Sequence, residues 1–228
     1  MKAQMLDLFN NNPSFDNFIS VNNKIVVDAL VNQTNQFVHI IGSQYIGKTH
    51  LLKAWINKAN LEKQSTIYID AQEKNHKDDI RQLATYYKLI AVDNIEFLDE
   101  TQQIELFDLF NSIKLNNRDN KLLTSSRFSL DNLNDFRDDL KTRILSGLNL
   151  QLKLPSDDEL MHILKVYIQQ EGIKLEDAEL NYIVTHYTRN IGTLINTIKL
   201  IAEKAVLENR NITIPLIRQI LNITSPGQ

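Results

Sequence analysis

Residues 42–49 read Gly-Ser-Gln-Tyr-Ile-Gly-Lys-Thr, and this G-x-x-x-x-G-K-T spacing lies between the apolar run FVHII and a segment, HLLKAWINKA, with the periodicity of a helix. Each residue type there suits the binding of a polyphosphate. Gly42 and Gly47 permit a sharp backbone path. Between them the N–H groups of Ser43, Gln44, Tyr45 and Ile46 turn inward toward phosphate oxygens, reinforced by the positive N-terminus of the following helix. Lys48 carries a mobile positive charge toward the β and γ phosphates, and the Thr49 hydroxyl completes a Mg²⁺ shell. His50, Tyr45 and Trp55 are close enough in sequence to stack on a base, although side chains of this kind beside such a loop also serve ordinary packing. The chemistry implied is the binding of a nucleotide with magnesium.

A second element has the form that such a site requires. KLIAVD, residues 88–93, is an apolar strand ending in Asp93, a carboxylate of the kind that holds magnesium through water. Many ATPases place another acid immediately afterwards to orient or deprotonate the attacking water. Here that position is Asn94, placed to touch the nucleotide but with an amide that cannot accept a proton. Glu96 can substitute only if the chain stays extended past Asn94. Unaided hydrolysis is therefore expected to be weak at most.

These residues need a scaffold, and the sequence supplies one. Short apolar runs rich in β-branched residues recur at 37–41, 66–70, 88–93, 121–125 and 148–154, separated by segments of helical periodicity that begin with 22–30. Such alternation specifies an α/β fold in which a parallel five-stranded sheet is flanked by helices. At Pro155 the pattern changes. Ser156 and Glu159 have capping-box spacing, and only helices follow, over about 157–170, 177–187, 190–208 and from about 213, with Pro215 in the first turn of the last. The division expected is a short N-terminal peptide at 1–12, an α/β domain at 13–154 and a small all-α lid domain at 155–228.

The totals narrow the function classes. In 228 residues, Lys and Arg number 25 against 28 for Asp and Glu, a formal charge of -3, so there is no global basic field for a phosphate backbone and strong direct DNA binding is not expected. Cysteine is absent and the five histidines show no ligand spacing, which leaves no metal expected beyond the one a nucleotide brings. No apolar run approaches the ~18 residues of a membrane span, and the N-terminus does not resemble a signal peptide, so a cytoplasmic protein without membrane contact is expected.

Four segments in order, VDNIEFL, KLLTSSR, DLKTRI and TIPLIRQIL, resemble the AAA+ domain of bacterial DnaA replication initiators and, more closely, the shorter Hda regulators related to them. The resemblance covers nearly the whole chain and implies an AAA+ fold. It also implies that Arg143 is an arginine finger acting in trans on nucleotide held by a neighbouring subunit, with Arg137 and Lys141 as the competing cations. Ser126 falls where initiators carry an Asp that senses the γ phosphate. Gly192 stands in place of the lid's sensor arginine, and Arg189 lies about one helical turn away, from where it can reach the phosphates at another angle. The pattern suits a site that holds ADP or ATP, and ADP above all, without turning it over.

The N-terminal QMLDLF then acquires a meaning, because bacterial proteins that dock on the DNA polymerase III β sliding clamp carry peptides of this form. Gln4, Leu6, Asp7, Leu8 and Phe9 fit its longer version, with two apolar anchors for a preformed groove and Gln4 bonding at the edge. The alternative is that Leu8 and Phe9 fold back onto the core. The resemblance thus implies a negative regulator of replication initiation whose partners are DnaA and the sliding clamp, with a homo-oligomer also open. The competing expectation is a free-standing ATPase of the helicase-loader or DnaA type that acts directly on DNA.

Overall fold

The computed structural model describes residues 13–18, 21–32, 34–73, 79–115 and 119–221. They fall into two compact units, one within Asn11–Leu154 and one from Pro155 onward. In the first, strands β1 (Phe37–Ile41), β2 (Thr66–Asp70), β3 (Leu89–Asp93), β4 (Lys121–Ser126) and β5 (Leu148–Gln151) form one sheet in the order β2-β3-β4-β1-β5. Every pairing is parallel. Strands covered on both faces must be apolar throughout, and β3 is buried at each of its five positions.

Helix α1 (Lys24–Val31) precedes β1, and α2 (Lys48–Leu61) follows it. Leu51, Leu52 and Trp55 of α2 pack with Val38, Ile40, Ala91 and Leu123 on one face of the sheet. The short α3 (Leu83–Tyr86) leads into β3; α4 (Glu100–Leu115) and α5 (Asp138–Leu145) cover the opposite face. There Leu106, Leu109, Phe110, Leu140 and Ile144 meet Ile69, Ile90, Val92 and Leu122.

The first helix is shorter than the periodicity suggests, because Asn23 ends a 3-10 turn and Lys24 opens α1. Strand β5 likewise stops at Gln151 and does not run to Leu154. Asn23 accounts for both ends: its side-chain amide donates to Lys153 O (2.9 Å) and its oxygen accepts from Lys153 N (2.8 Å). The buried amide takes over the backbone groups that a sixth strand would otherwise satisfy.

One polar layer interrupts the sheet. His39 is buried on β1, with Nδ1 2.8 Å from Thr124 Oγ1 and Nε2 3.1 Å from Ser126 Oγ. Burial holds its pKa down to about 3, offset only in part by a hydrogen bond to the backbone at Thr124. The folded state therefore keeps this ring neutral while the unfolded chain protonates it near 6.5, so its contribution is complete above about pH 6.5 and lost as pH falls toward 3. Urea unfolding followed by the fluorescence of Trp55, the sole tryptophan, is expected to show about 2 kcal/mol less stability at pH 5.0 than at 7.5 from His39 alone. His39→Gln should remove that difference; an unchanged pH slope would refute the assignment.

The second unit contains α6 (Asp157–Gln170), α7 (Asp177–His186), α8 (Ile191–Leu207) and α9 (Ile214–Leu221). The capping box forms: Glu159 N donates to Ser156 Oγ (3.3 Å) and Ser156 N to Glu159 Oε2 (2.7 Å). Leu160, Leu164, Ile183, Leu194, Ile198, Ile201 and Ile217 form its core. Among the described residues no helix is long and apolar enough to cross a membrane.

Candidate functional site

The loop after β1 turns where only particular residues can follow. Gly47 has φ +102° and caps α2, while Tyr45 also takes a positive φ of +64°. A Cβ on Gly47 would lie 2.6 Å from the Phe18 ring, so this glycine is required both for its backbone and for its lack of a side chain. Ile46 is buried beneath the loop, Ser43 and Gln44 are exposed, and Tyr45 is about half-exposed. Lys48 is buried, and its ammonium donates to the carbonyls of Gly42 (2.8 Å) and Ser43 (3.1 Å). Its pKa is lowered chiefly by burial, against the opposing charges of Glu96 and Asp93.

The fold brings Thr49 and Asp93 together although they are far apart in sequence. Thr49 Oγ1 donates to Asp93 Oδ2 at 2.6 Å. The same oxygen accepts from the Tyr68 hydroxyl at 2.9 Å. On its other oxygen, Asp93 accepts from Ser125 Oγ and from Asn94 N (3.1 Å). A fully buried carboxylate is tolerable when its lone pairs are engaged in this way. Burial and the charge of Asp93 push the Tyr68 hydroxyl well above the usual tyrosine range, which keeps it a donor.

Past Asp93 the backbone does not stay extended. Asn94 adopts a left-handed conformation (φ 56°, ψ 47°), a tight 3-10 turn follows at Ile95–Phe97, and the Asn94 amide donates to Asp70 Oδ1 at 2.9 Å. The condition for Glu96 to replace the missing acid is therefore not met. Its carboxylate accepts instead from Arg127 N at 3.1 Å, and burial raises its pKa.

Ser126 turns to the other side of the sheet. Its hydroxyl is buried, donates to Phe128 O (2.6 Å) and faces His39. His50 has contacts of its own, with Nε2 2.9 Å from Ser14 O and its ring 5.6 Å from that of Phe18. Asn57, further along α2, donates to Pro13 O (2.9 Å), so residues 13–18 run as a strap along this helix.

The cations at the start of α5 and within it separate clearly. Arg137 makes a two-pronged pair with Asp139 (2.7 and 3.1 Å), and Lys141 meets Asp138 at 3.3 Å. Arg143, in the last turn, lies over the Phe107 ring with Cζ 5.7 Å from its centre. Among the described residues no carboxylate lies within 4.0 Å of it. In the helical unit, Arg189 pairs with Asp157 at 3.0 Å, both exposed. Gln4, Leu6, Asp7, Leu8 and Phe9 lie outside the described residues.

Sequence reasoning missed Tyr68, Ser125 and Asp70. Each is an ordinary strand residue by type, and only the strand order places it beside Asp93 or Asn94.

Comparison with known proteins gives a consistent set of relatives. The bacterial DnaA ATPase domain family matches residues 9–151, and the Hda lid domain family matches residues 157–221. An uncharacterized protein of Haemophilus influenzae is 27% identical over 217 residues, covering 92% of this chain and 94% of that one. The chromosomal replication initiator DnaA of Borrelia garinii is 26% identical over 232 residues, and the match covers 91% of this chain but 47% of the initiator, about half its length. Among solved structures, domain III of Thermotoga maritima DnaA superposes with a TM-score of 0.79 at 20% identity, covering 93% and 97% of the two chains. AMPPCP-bound DnaA of Aquifex aeolicus gives 0.69 at 25% identity, covering 89% and 68%. With the five-stranded parallel sheet and the helical unit that follows it, these matches place the chain in the Hda/DnaA-like AAA+ family.

Proposed function

We propose that this chain is a nucleotide-holding regulator that presents Arg143 to ATP bound by the initiator DnaA, docks on the sliding clamp through residues 4–9, and so drives DnaA to its ADP form. The observation that carries the reading is the contrast along 137–143: Arg137 and Lys141 are paired with neighbouring carboxylates, whereas among the described residues Arg143 has no carboxylate within 4.0 Å and rests on Phe107. In a partner's site that guanidinium neutralises charge building on the transferred phosphoryl group. The chemistry takes place in DnaA.

In the chain's own site, the loop N–H groups and Lys48 hold the phosphates of ADP or ATP. The oxygen donors Thr49 and Asp93, 2.6 Å apart, are hard ligands of the kind that suit Mg²⁺. When bound, that ion screens phosphate charge. Tyr68 and Ser125 fix the Asp93 carboxylate, while Asn94, lacking a basic group, orients Asp70 and abstracts no proton. AMPPCP in the Aquifex aeolicus DnaA supports an adenine nucleotide as the ligand here.

The test is a reconstitution with ATP-charged DnaA, DNA-loaded clamp and this chain, in which ADP formation is followed as each component is withheld. Stimulation is expected only with all three. Rapid hydrolysis by this chain alone would favour the free-standing ATPase. Replacing both Leu8 and Phe9 by Ala is expected to abolish retention on immobilised clamp while leaving ADP affinity unchanged, because the extended peptide binds chiefly through its two apolar anchors. Full retention would assign those side chains to the core.

A further inference from the structure

The Ser126 hydroxyl is turned to His39 and Phe128 O, whereas the residue after it is exposed. Gly42 N donates to Ser126 O (3.2 Å), so Arg127 leaves β4 level with the first glycine of the phosphate loop. Ser125 points to Asp93 and Ser126 to the opposite face, and Arg127 is the first residue past the strand, in the bend that follows it. Its backbone N–H is held by Glu96 Oε1 (3.1 Å), which fixes the turn. The exposed guanidinium rests on the Phe128 ring, 5.3 Å from its centre, and among the described residues no carboxylate lies within 4.0 Å of it. It is also near enough for its charge to add to the depression of the Lys48 ammonium, after the larger effect of burial.

We propose that Arg127 reads the terminal phosphate of a bound nucleoside triphosphate, supplying from β4 the charge that Ser126 lacks. This rests on the nucleotide-binding reading above. A guanidinium placed there contacts the γ phosphate and leaves the α and β phosphates to the loop and Lys48. It thereby distinguishes triphosphate from diphosphate by binding alone, with no hydrolysis required.

Calorimetric titration of the full chain with Mg-ADP and with Mg-AMPPCP, which is not turned over, tests the proposal. Arg127→Gln is expected to raise the ratio Kd(AMPPCP)/Kd(ADP) about tenfold over wild type, the lower end for a charged contact because the site is open to solvent. The ADP affinity should stay within about twofold, and Arg127→Lys should recover part of the ratio. An unchanged ratio, or equal losses for both nucleotides, overturns the assignment of Arg127 alone. Failure of the wild-type chain to bind either nucleotide overturns the nucleotide-binding reading, and Arg127's role with it. Arg127 is exposed, so these variants are expected to melt at the wild-type temperature.

Discussion

Arg143→Ala is expected to lower clamp-dependent ATP hydrolysis by DnaA about a thousandfold, the scale of a finger supplied in trans. The reason is electrostatic. In the proposed role, a guanidinium resting on Phe107 at the end of α5 would lose less freedom on entering a partner's site, and the helix C-terminus favours its charge. Arg137→Ala and Lys141→Ala are expected to leave the stimulated rate essentially intact, since those charges are balanced at 2.7 and 3.3 Å by Asp139 and Asp138. The affinity of the chain for ADP should not change in any of the three. Single-turnover measurement of ADP formed on DnaA reads the effect directly, and a wild-type rate with Arg143→Ala would reject the finger. Loss from Arg137→Ala alone would transfer the role.

The second large effect belongs to the chain's own site. Lys48→Ala is expected to weaken ADP binding about a hundredfold, as removal of a buried, charge-assisted phosphate contact should. Two losses combine here. The ammonium that meets the phosphates is gone, and the carbonyls of Gly42 and Ser43 that it bridges at 2.8 and 3.1 Å lose their donor, which loosens the loop as well. Lys48→Arg should not rescue binding fully, because a planar guanidinium cannot occupy the space of a compact ammonium. Fluorescence titration with a labelled ADP measures both variants; ADP affinity unaltered in Lys48→Ala would mean that the loop does not hold phosphate.

Much of the scaffold was legible because periodicity reports burial. FVHII and KLIAVD come close to being apolar on both faces, and a strand forms at each; the change of pattern at Pro155 marks where the helices take over. Boundaries were less legible where a distant side chain decides them, as Asn23 does for the end of β5. Within the site, the loop and Asp93 carry local signals. Tyr68 and Ser125 do not, because their roles arise from strand order and from which face each residue occupies, and neither is encoded in a short window; Arg127 sits in a bend past β4 that no short window marks. Ser126 shows the same limit: the family resemblance puts it at a phosphate-sensing position, and its face of the strand gives it to His39.

The glycine that opens α2 joins two parts of the molecule that sequence keeps apart. Its left-handed backbone shapes the phosphate loop, and the missing side chain makes room for the Phe18 ring, which anchors residues 13–18 along the helix. Any substitution at Gly47 would therefore unseat two things together, the cradle and the tether leading back toward the N-terminus. That position is a single hinge pin, and a change there would disturb the loop and the strap in one stroke.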